Sequence, residues 1–331
     1  METHFYNTML TDLENLPGDP AVILVAPLNW GLGHATRSAD LITRLQHQFP
    51  KATLILASDG AALSWLQSRF PDLKTLRLPS YHITYPKGSA FIARMALSAP
   101  RLLLGILREH RQIKKIVRDC KVDLIVSDNR FGCWNKRCRS VIVTHQVSLA
   151  SPGGVPYRLI MVVVNRINRW FISRFDRCWI PDYEKPPGLA GALSHPRRLP
   201  SNCTYIGPLS RFRGFKQRDI TGPVADLVCI VSGPEPQRTI FFELLLNQLT
   251  PLPYHAIVFA GIPGSKTPWK PHPHITVIPD PDDAMVYNAI KTAKLVISRP
   301  GYSTIMDLWA IGDVLAAFVP TPGQTEQEYL A

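Results

Sequence analysis

The chain has 331 residues, 37 Lys and Arg against 25 Asp and Glu, a net charge of +12, and 46% hydrophobic against 19% charged residues. Such a composition excludes disorder at scale and, at roughly 150 residues per core, leaves room for two domains. Six cysteines with no CxxC pair and no histidine at zinc spacing argue for reduced thiols and no metal, and no uncharged apolar run reaches the ~18 residues of a spanning helix.

Taken in chain order, residues 1–20 carry acids and no apolar h-region, so they read as a leader and not as a signal peptide. Short apolar runs then alternate with helix-length segments. Strands are expected at 21–26 (AVILVA), 52–57 (ATLILA), 75–78, 122–126 (VDLIV) and 140–144, followed by strand-like RCWIP and CTYIG. Two segments, 90–118 and 155–175, mix apolar, aromatic and basic residues. They fit either core-facing amphipathic helices with a solvated basic face or interfacial helices lying on an anionic membrane. The polar stretch GPLSRFRGFKQRDITGP (207–223) is expected to bury little and to act as a linker. A second strand series follows at 226–233, 255–261, 275–279, 294–299 and 314–320. The fold class is therefore α/β, with two doubly wound Rossmann-like domains, 21–206 and 224–331, facing across a cleft. In such sheets ligands sit beyond the carboxyl ends of the strands, which directs attention to the residue just after each apolar run.

After the first strand comes NWGLGHATRS. Gly31 and Gly33 permit a tight turn, but Thr36 stands where a dinucleotide fingerprint needs a third small residue, so a nicotinamide cofactor is not expected. His34 then stands at a strand end with Arg37 one helical turn on, and a histidine there suits a general base. Asp128 and Asn129 follow the VDLIV strand; if the first and fourth strands are neighbours, Asp128 is placed to orient His34. His145 follows another strand. In the second half, Ser232 and Gly233 open a turn before Gln237 and Arg238, and Arg299 precedes a second turn with Gly301, Ser303 and Thr304. Both turns lead into helix starts that offer free amides to a diphosphate. Asp307 lies one turn further in, suited to a ribose diol, and Gln324, Gln327 and Glu328 add groups suited to sugar hydroxyls. Basic residues are scattered and no nucleic-acid module is visible, so nucleic acid is not an expected partner.

In order, GLGHATRS, VTHQ, SGPEPQRT, SRPGYSTIMDL and PTPGQTEQEYLA resemble the motifs of the two-domain GT-B glycosyltransferases. The resemblance is to the branch containing the lipid-linked N-acetylglucosaminyltransferase of peptidoglycan synthesis. It implies that Ser232 and Gly233 face the diphosphate, that Asp307 takes the ribose-binding glutamate position, and that Gln327 and Glu328 sit near the donor sugar. Gly31, Gly33, His34, Arg37, Asn129 and His145 fall on the acceptor side. Departures are the shorter Asp307, the amide-free Pro234 and Pro236, Glu328 in place of a second glutamine, and an end at Ala331 short of the family's returning helices.

The expected activity is metal-independent, inverting transfer of a hexose or N-acetylhexosamine from a UDP-sugar, with no cofactor beyond that donor. The acceptor is unassigned, with a lipid-linked molecule or a polysaccharide as candidates and a cytoplasmic location at the inner membrane face. GLGHATR also fits the GxGHxxR pattern of UDP-sugar hydrolases, in which His34 would activate water. A non-catalytic nucleotide-sugar binder is the third reading.

Overall fold

A computed structural model describes residues 18–81, 91–151, 155–215, 225–265 and 267–331, with backbone only over 91–99 and 155–159. Most of the expected leader and residues 216–223 of the expected linker lie outside the described residues. By contact the chain forms two compact units, Met1–Asn29 with Leu41–Leu209 and Trp30–Asp40 with Ser210–Ala331.

The first unit is built on seven parallel strands: β1 (Val22–Pro27), β2 (Thr53–Ser58), β3 (Lys74–Arg77), β4 (Leu124–Asp128), β5 (Arg139–Val143), β6 (Arg177–Ile180) and β7 (Cys203–Tyr205). Their order is β3-β2-β1-β4-β5-β6-β7. Strands covered on both faces read as continuous apolar runs, and β1 is buried from Ile23 to Pro27 for that reason. One face, through Leu24, Ala26, Ile55 and Ile125, packs on Ile113, Ile116 and Val117 of the long helix α3 (Phe91–Cys120). Helices α1 (Gly33–Gln48), α2 (Gly60–Arg69) and α4 (Val155–Ile172) supply other crossovers. Pro27 of β1 lies beside Asp128 of β4, so the chain reverses its direction of winding between these two strands.

The second sheet contains β8 (Leu227–Ile230), β9 (Ala256–Phe259), β10 (Trp269–His272), β11 (Ile275–Ile278), β12 (Leu295–Ser298) and β13 (Ala316–Phe318) in the order β10-β11-β9-β8-β12-β13. Alternate side chains serve opposite faces, as a strand's period of two requires. Val228, Ile257, Phe259 and Val296 pack on α6 (Asp283–Thr292) and α7 (Tyr302–Ile311). Cys229, Val231, Val258 and Val277 pack on α5 (Gln237–Leu249). A short α8 (Thr325–Leu330) follows β13. The antiparallel β10 was not expected from sequence. Its WKPH is mostly exposed and contains a proline, tolerated because β10 is an edge strand.

The stretch 207–215 departs from the expectation that it buries little. Leu209, Ser210 and Phe212 are buried, and Phe212 belongs to the core of the second sheet. Polar neighbours in the sequence concealed an apolar side chain pointing inward and a charged one, Arg211, held by Asp283 at 2.8 Å and Asp307 at 3.2 Å.

Candidate active site

Each sheet has one place where the direction of winding changes, between β1 and β4 and between β8 and β12. Open α/β sheets bind ligands beyond the strand ends at such points. The turns singled out in the sequence follow these four strands: Gly31–His34 after β1, Asn129 after β4, Ser232–Gly233 after β8 and Arg299–Gly301 after β12. The adjacency of β1 and β4, on which the Asp128 reading depended, is present; Asp128 is buried and its carbonyl accepts from Leu28 N at 2.9 Å. Asn129 adopts φ 59°, a left-handed turn, and its N–H bonds the Val143 carbonyl. His145 is buried just beyond β5.

Trp30–Asp40 groups with the second unit, and several contacts within that unit explain why. Gly31, at φ 69°, passes so close to Gly233 that a Cβ on it would stand 3.3 Å from the Gly233 Cα. The Gly33 carbonyl accepts from Ser303 Oγ at 2.7 Å, and Asp40 accepts from Ser210 N at 3.1 Å. His34 is thus one residue from a contact with the first turn of α7. Arg37, itself buried, places Nη2 2.9 Å from His34 Nδ1. A guanidinium can only donate, so Nδ1 accepts and a neutral ring carries its proton on Nε2.

The two glycine turns of the second unit differ in what they leave open. At α5, Pro236 occupies the N-cap and Glu235 folds over the helix start. Its carboxylate accepts from Thr239 Oγ1 at 2.8 Å, Thr239 N at 3.3 Å and Arg238 Nε at 2.9 Å, so the chain itself supplies the anion there. Partial burial raises the Glu235 pKa, but the bonds from Thr239 and Arg238 outweigh it and hold the carboxyl below its ordinary value. Arg238 also donates to the Gly261 carbonyl. Among the described residues Ser232 and Gln237 engage no side-chain hydrogen-bond partner.

At α7 the N-cap is Gly301, which has no side chain to satisfy the first amides. Just before it, Ser298 Oγ and Arg299 Nε are buried with no partner among the described residues. Arg299 lies over the Phe241 ring at 4.1 Å and donates to the Val319 and Pro320 carbonyls at 2.9 and 2.8 Å, and its burial lowers its pKa. Thr304 has an uncommitted hydroxyl among the described residues.

The remaining predicted residues are engaged with their own chain. Asp307 is buried, accepts from Ser210 Oγ at 2.6 Å and from Arg211, and is pushed up to about 6 by burial despite the guanidinium. Gln327 accepts from Thr321 N and Glu328 from Gly323 N, both at 2.8 Å, so they brace the turn before α8. Gln324 is buried at the N-cap of α8.

Sequence reasoning missed a buried ion network in the first unit. Arg130, 0% exposed, donates to Glu109 at 2.5 Å, Asp59 at 2.9 Å and the Pro79 carbonyl at 2.6 Å. Glu109 also accepts from Gly132 N and the Tyr81 hydroxyl. Arg130 and Asp59 are 71 residues apart, beyond the reach of any local pattern.

Comparison with solved structures finds the same fold. The glycotransferase of kitacinnamycin superposes with a TM-score of 0.61 at 14% identity, covering 95% of this chain and 84% of that one. The calicheamicin glycosyltransferase gives 0.57 at 12% identity, covering 94% and 82%. A UDP-glucosyltransferase from Polygonum tinctorium, capable of glucosylating indoxyl, gives 0.55 at 12% identity, covering 95% and 82%. No family model and no curated protein matches the chain. At these identities the likeness establishes the architecture, two doubly wound Rossmann-like domains of the GT-B type.

Proposed function

We propose that this protein is a glycosyltransferase that takes its sugar from a nucleotide diphosphate donor, a UDP-sugar, and transfers it with inversion and without a metal. The observation carrying this reading is at the end of β12. There the orphaned Ser298 Oγ and Arg299 Nε adjoin a helix start with no side-chain cap, at the point where the sheet changes direction. Buried polar atoms without partners call for a ligand, and helix-start amides favour an anionic one. The α7 amides, with Thr304, Ser232 and Gln237, receive the diphosphate; Asp307, Gln324, Gln327 and Glu328 support the donor from behind through the bonds described above.

His34 receives the proton of the acceptor hydroxyl as that oxygen attacks the anomeric carbon. The bond to the β-phosphate oxygen breaks, its electron pair leaves with UDP, and a single displacement inverts the centre. Preorganised amides stabilise the departing charge. Since Arg37 occupies Nδ1, proton acceptance requires the acceptor to displace it. Within the second unit Gly31 and Gly33 shape the acceptor side beside His34, and the first unit offers Asn129 and His145 at its own strand ends. A thermal-shift panel tests the class: UDP and UDP-sugars stabilise the protein and NAD does not, by ~2.7 kcal/mol at a hundredfold excess over Kd. Stabilisation by NAD alone overturns the reading.

The close His34–Arg37 pair also suits hydrolysis, with water as the nucleophile. Free sugar released without an acceptor, and unaffected by candidate acceptors, would favour that second reading. A lipid-linked acceptor at the inner membrane face is supported by exposed apolar side chains on α3 (Leu103, Leu104, Leu107) and α4 (Val162, Val163, Trp170), interspersed with arginines. No helix among the described residues is long and apolar enough to cross a membrane. Flotation with anionic liposomes at low salt tests the contact, and absence of binding ends it.

A further inference from the structure

A cavity of about 720 Å³ opens on the flank of the first unit, between the second half of α3 and the loop joining β4 to β5. Arg111, Lys114, Lys115 and Arg118 line it from the helix, Lys136 and Arg137 from the loop. The helical four are spaced i, i+3, i+4 and i+7 and therefore share one face, where like charges repel one another. No carboxylate lines the cavity. Arg118 meets the exposed Asp119 at 3.0 Å, while the side chains of the other five form no salt bridge among the described residues. Glu109, on the same helix, is turned away into the Arg130 network.

The floor is ordered. Trp134 stacks on His110 with ring centroids 4.3 Å apart, and His110 Nδ1 lies 3.2 Å from the Gly132 carbonyl. A carbonyl only accepts, so Nδ1 carries a proton, and the ring is fixed against the loop. Asn135 is buried and its side-chain oxygen accepts from Arg137 N at 2.9 Å, which orders the turn that carries the two loop cations. Six cations converge on a concave site whose base is fixed by a ring stack and an amide bond. Such a site concentrates anions and suits an oxyanion with several charged oxygens.

We propose that this cavity binds a phosphate-bearing anion. The site is separate in sequence and in element from the α7 helix start, so it stands or falls independently of sugar transfer. The chemistry is shared by a free oligophosphate and by a phospholipid headgroup, and the test separates them. Tripolyphosphate binding is measured by calorimetry, and binding to vesicles of phosphatidylcholine with phosphatidic acid by flotation. Both use the full chain, the double variant Lys114→Ala/Lys136→Ala, and a control variant Lys51→Ala/Lys185→Ala that removes two exposed lysines elsewhere. Removing two cavity cations is expected to weaken binding about tenfold or more, with the control near the parent. Loss in calorimetry alone identifies a soluble oligophosphate, and loss in flotation alone a headgroup. Stabilisation by UDP is unchanged in all variants, which keeps this outcome distinct from the donor site, and unchanged thermal midpoints certify folding. Binding in neither assay, or equal weakening by the cavity and control variants, overturns the proposal.

Discussion

Glu109→Ala is the most exacting test of the first unit, because the structure specifies what it leaves behind. Glu109 and Arg130 are both 0% exposed in their side chains, and Asp59, the second carboxylate, is 11% exposed. The substitution removes the acceptor for Arg130 Nε, for Gly132 N and for the Tyr81 hydroxyl. Breaking a buried pair by deleting one partner costs about 3–5 kcal/mol, because the remaining charge stays desolvated. With Asp59 and the Pro79 carbonyl still bonded to Arg130, about 4 kcal/mol is expected. For a unit of this size that corresponds to a midpoint lower by roughly 8–16 °C. The control is Arg118→Ala, which removes an exposed pair and should change stability by less than about 1 kcal/mol. Urea unfolding followed by tryptophan fluorescence and circular dichroism resolves the two units if they melt separately. A loss under about 1 kcal/mol for Glu109→Ala, or one no greater than that of Arg118→Ala, would refute the reasoning.

Asp307 gives a pH signature: its folded pKa of about 6 lies above the ordinary carboxylate range, so the native state binds more protons than the unfolded chain between about pH 4 and 6. Stability therefore falls as pH rises through that window and levels off above it; Asp307→Asn removes this contribution, and identical urea midpoints at pH 4.5 and 6.5 in the parent would contradict it. Glu235→Gln weakens the carboxylate's hold on the start of α5 and should tighten UDP binding by up to about tenfold, read by calorimetry, if the diphosphate reaches that turn. Gly31→Ala forces a Cβ toward Gly233 from a left-handed backbone and should destabilise the second unit by about 1–2 kcal/mol in chemical denaturation. His34→Ala should lower kcat for a UDP-sugar about 10²–10⁴-fold with little change in donor KM, and an unaffected rate would remove His34 from the chemistry.

Much of the fold was legible because strand burial leaves a local record. The strands β1, β2, β4, β8, β9 and β12 each carry a central run of three or more apolar residues, and the glycine turns follow where predicted. Phe212 was hidden because the residues flanking it are arginines, and β10 because an edge strand needs no apolar run. At the site, Gly31, Gly33, Ser232 and Gly301 could be named from turn chemistry. That α5 is covered by Glu235 while α7 lacks a side-chain cap could not, since both sequences present a glycine turn before a helix.

The sequence by itself determined the alternation of strand and helix, the two series of strands and the identity of the turn residues, because side-chain periodicity and backbone freedom act over a few residues. Only the tertiary structure decided the strand order, and with it which turns flank a change of winding. It also decided that Arg130 is neutralised by Asp59 and Glu109 while the cations around Trp134 meet almost no counter-charge. Charge compensation depends on distances in space between groups far apart in the chain, and composition records only that the positive charges outnumber the negative.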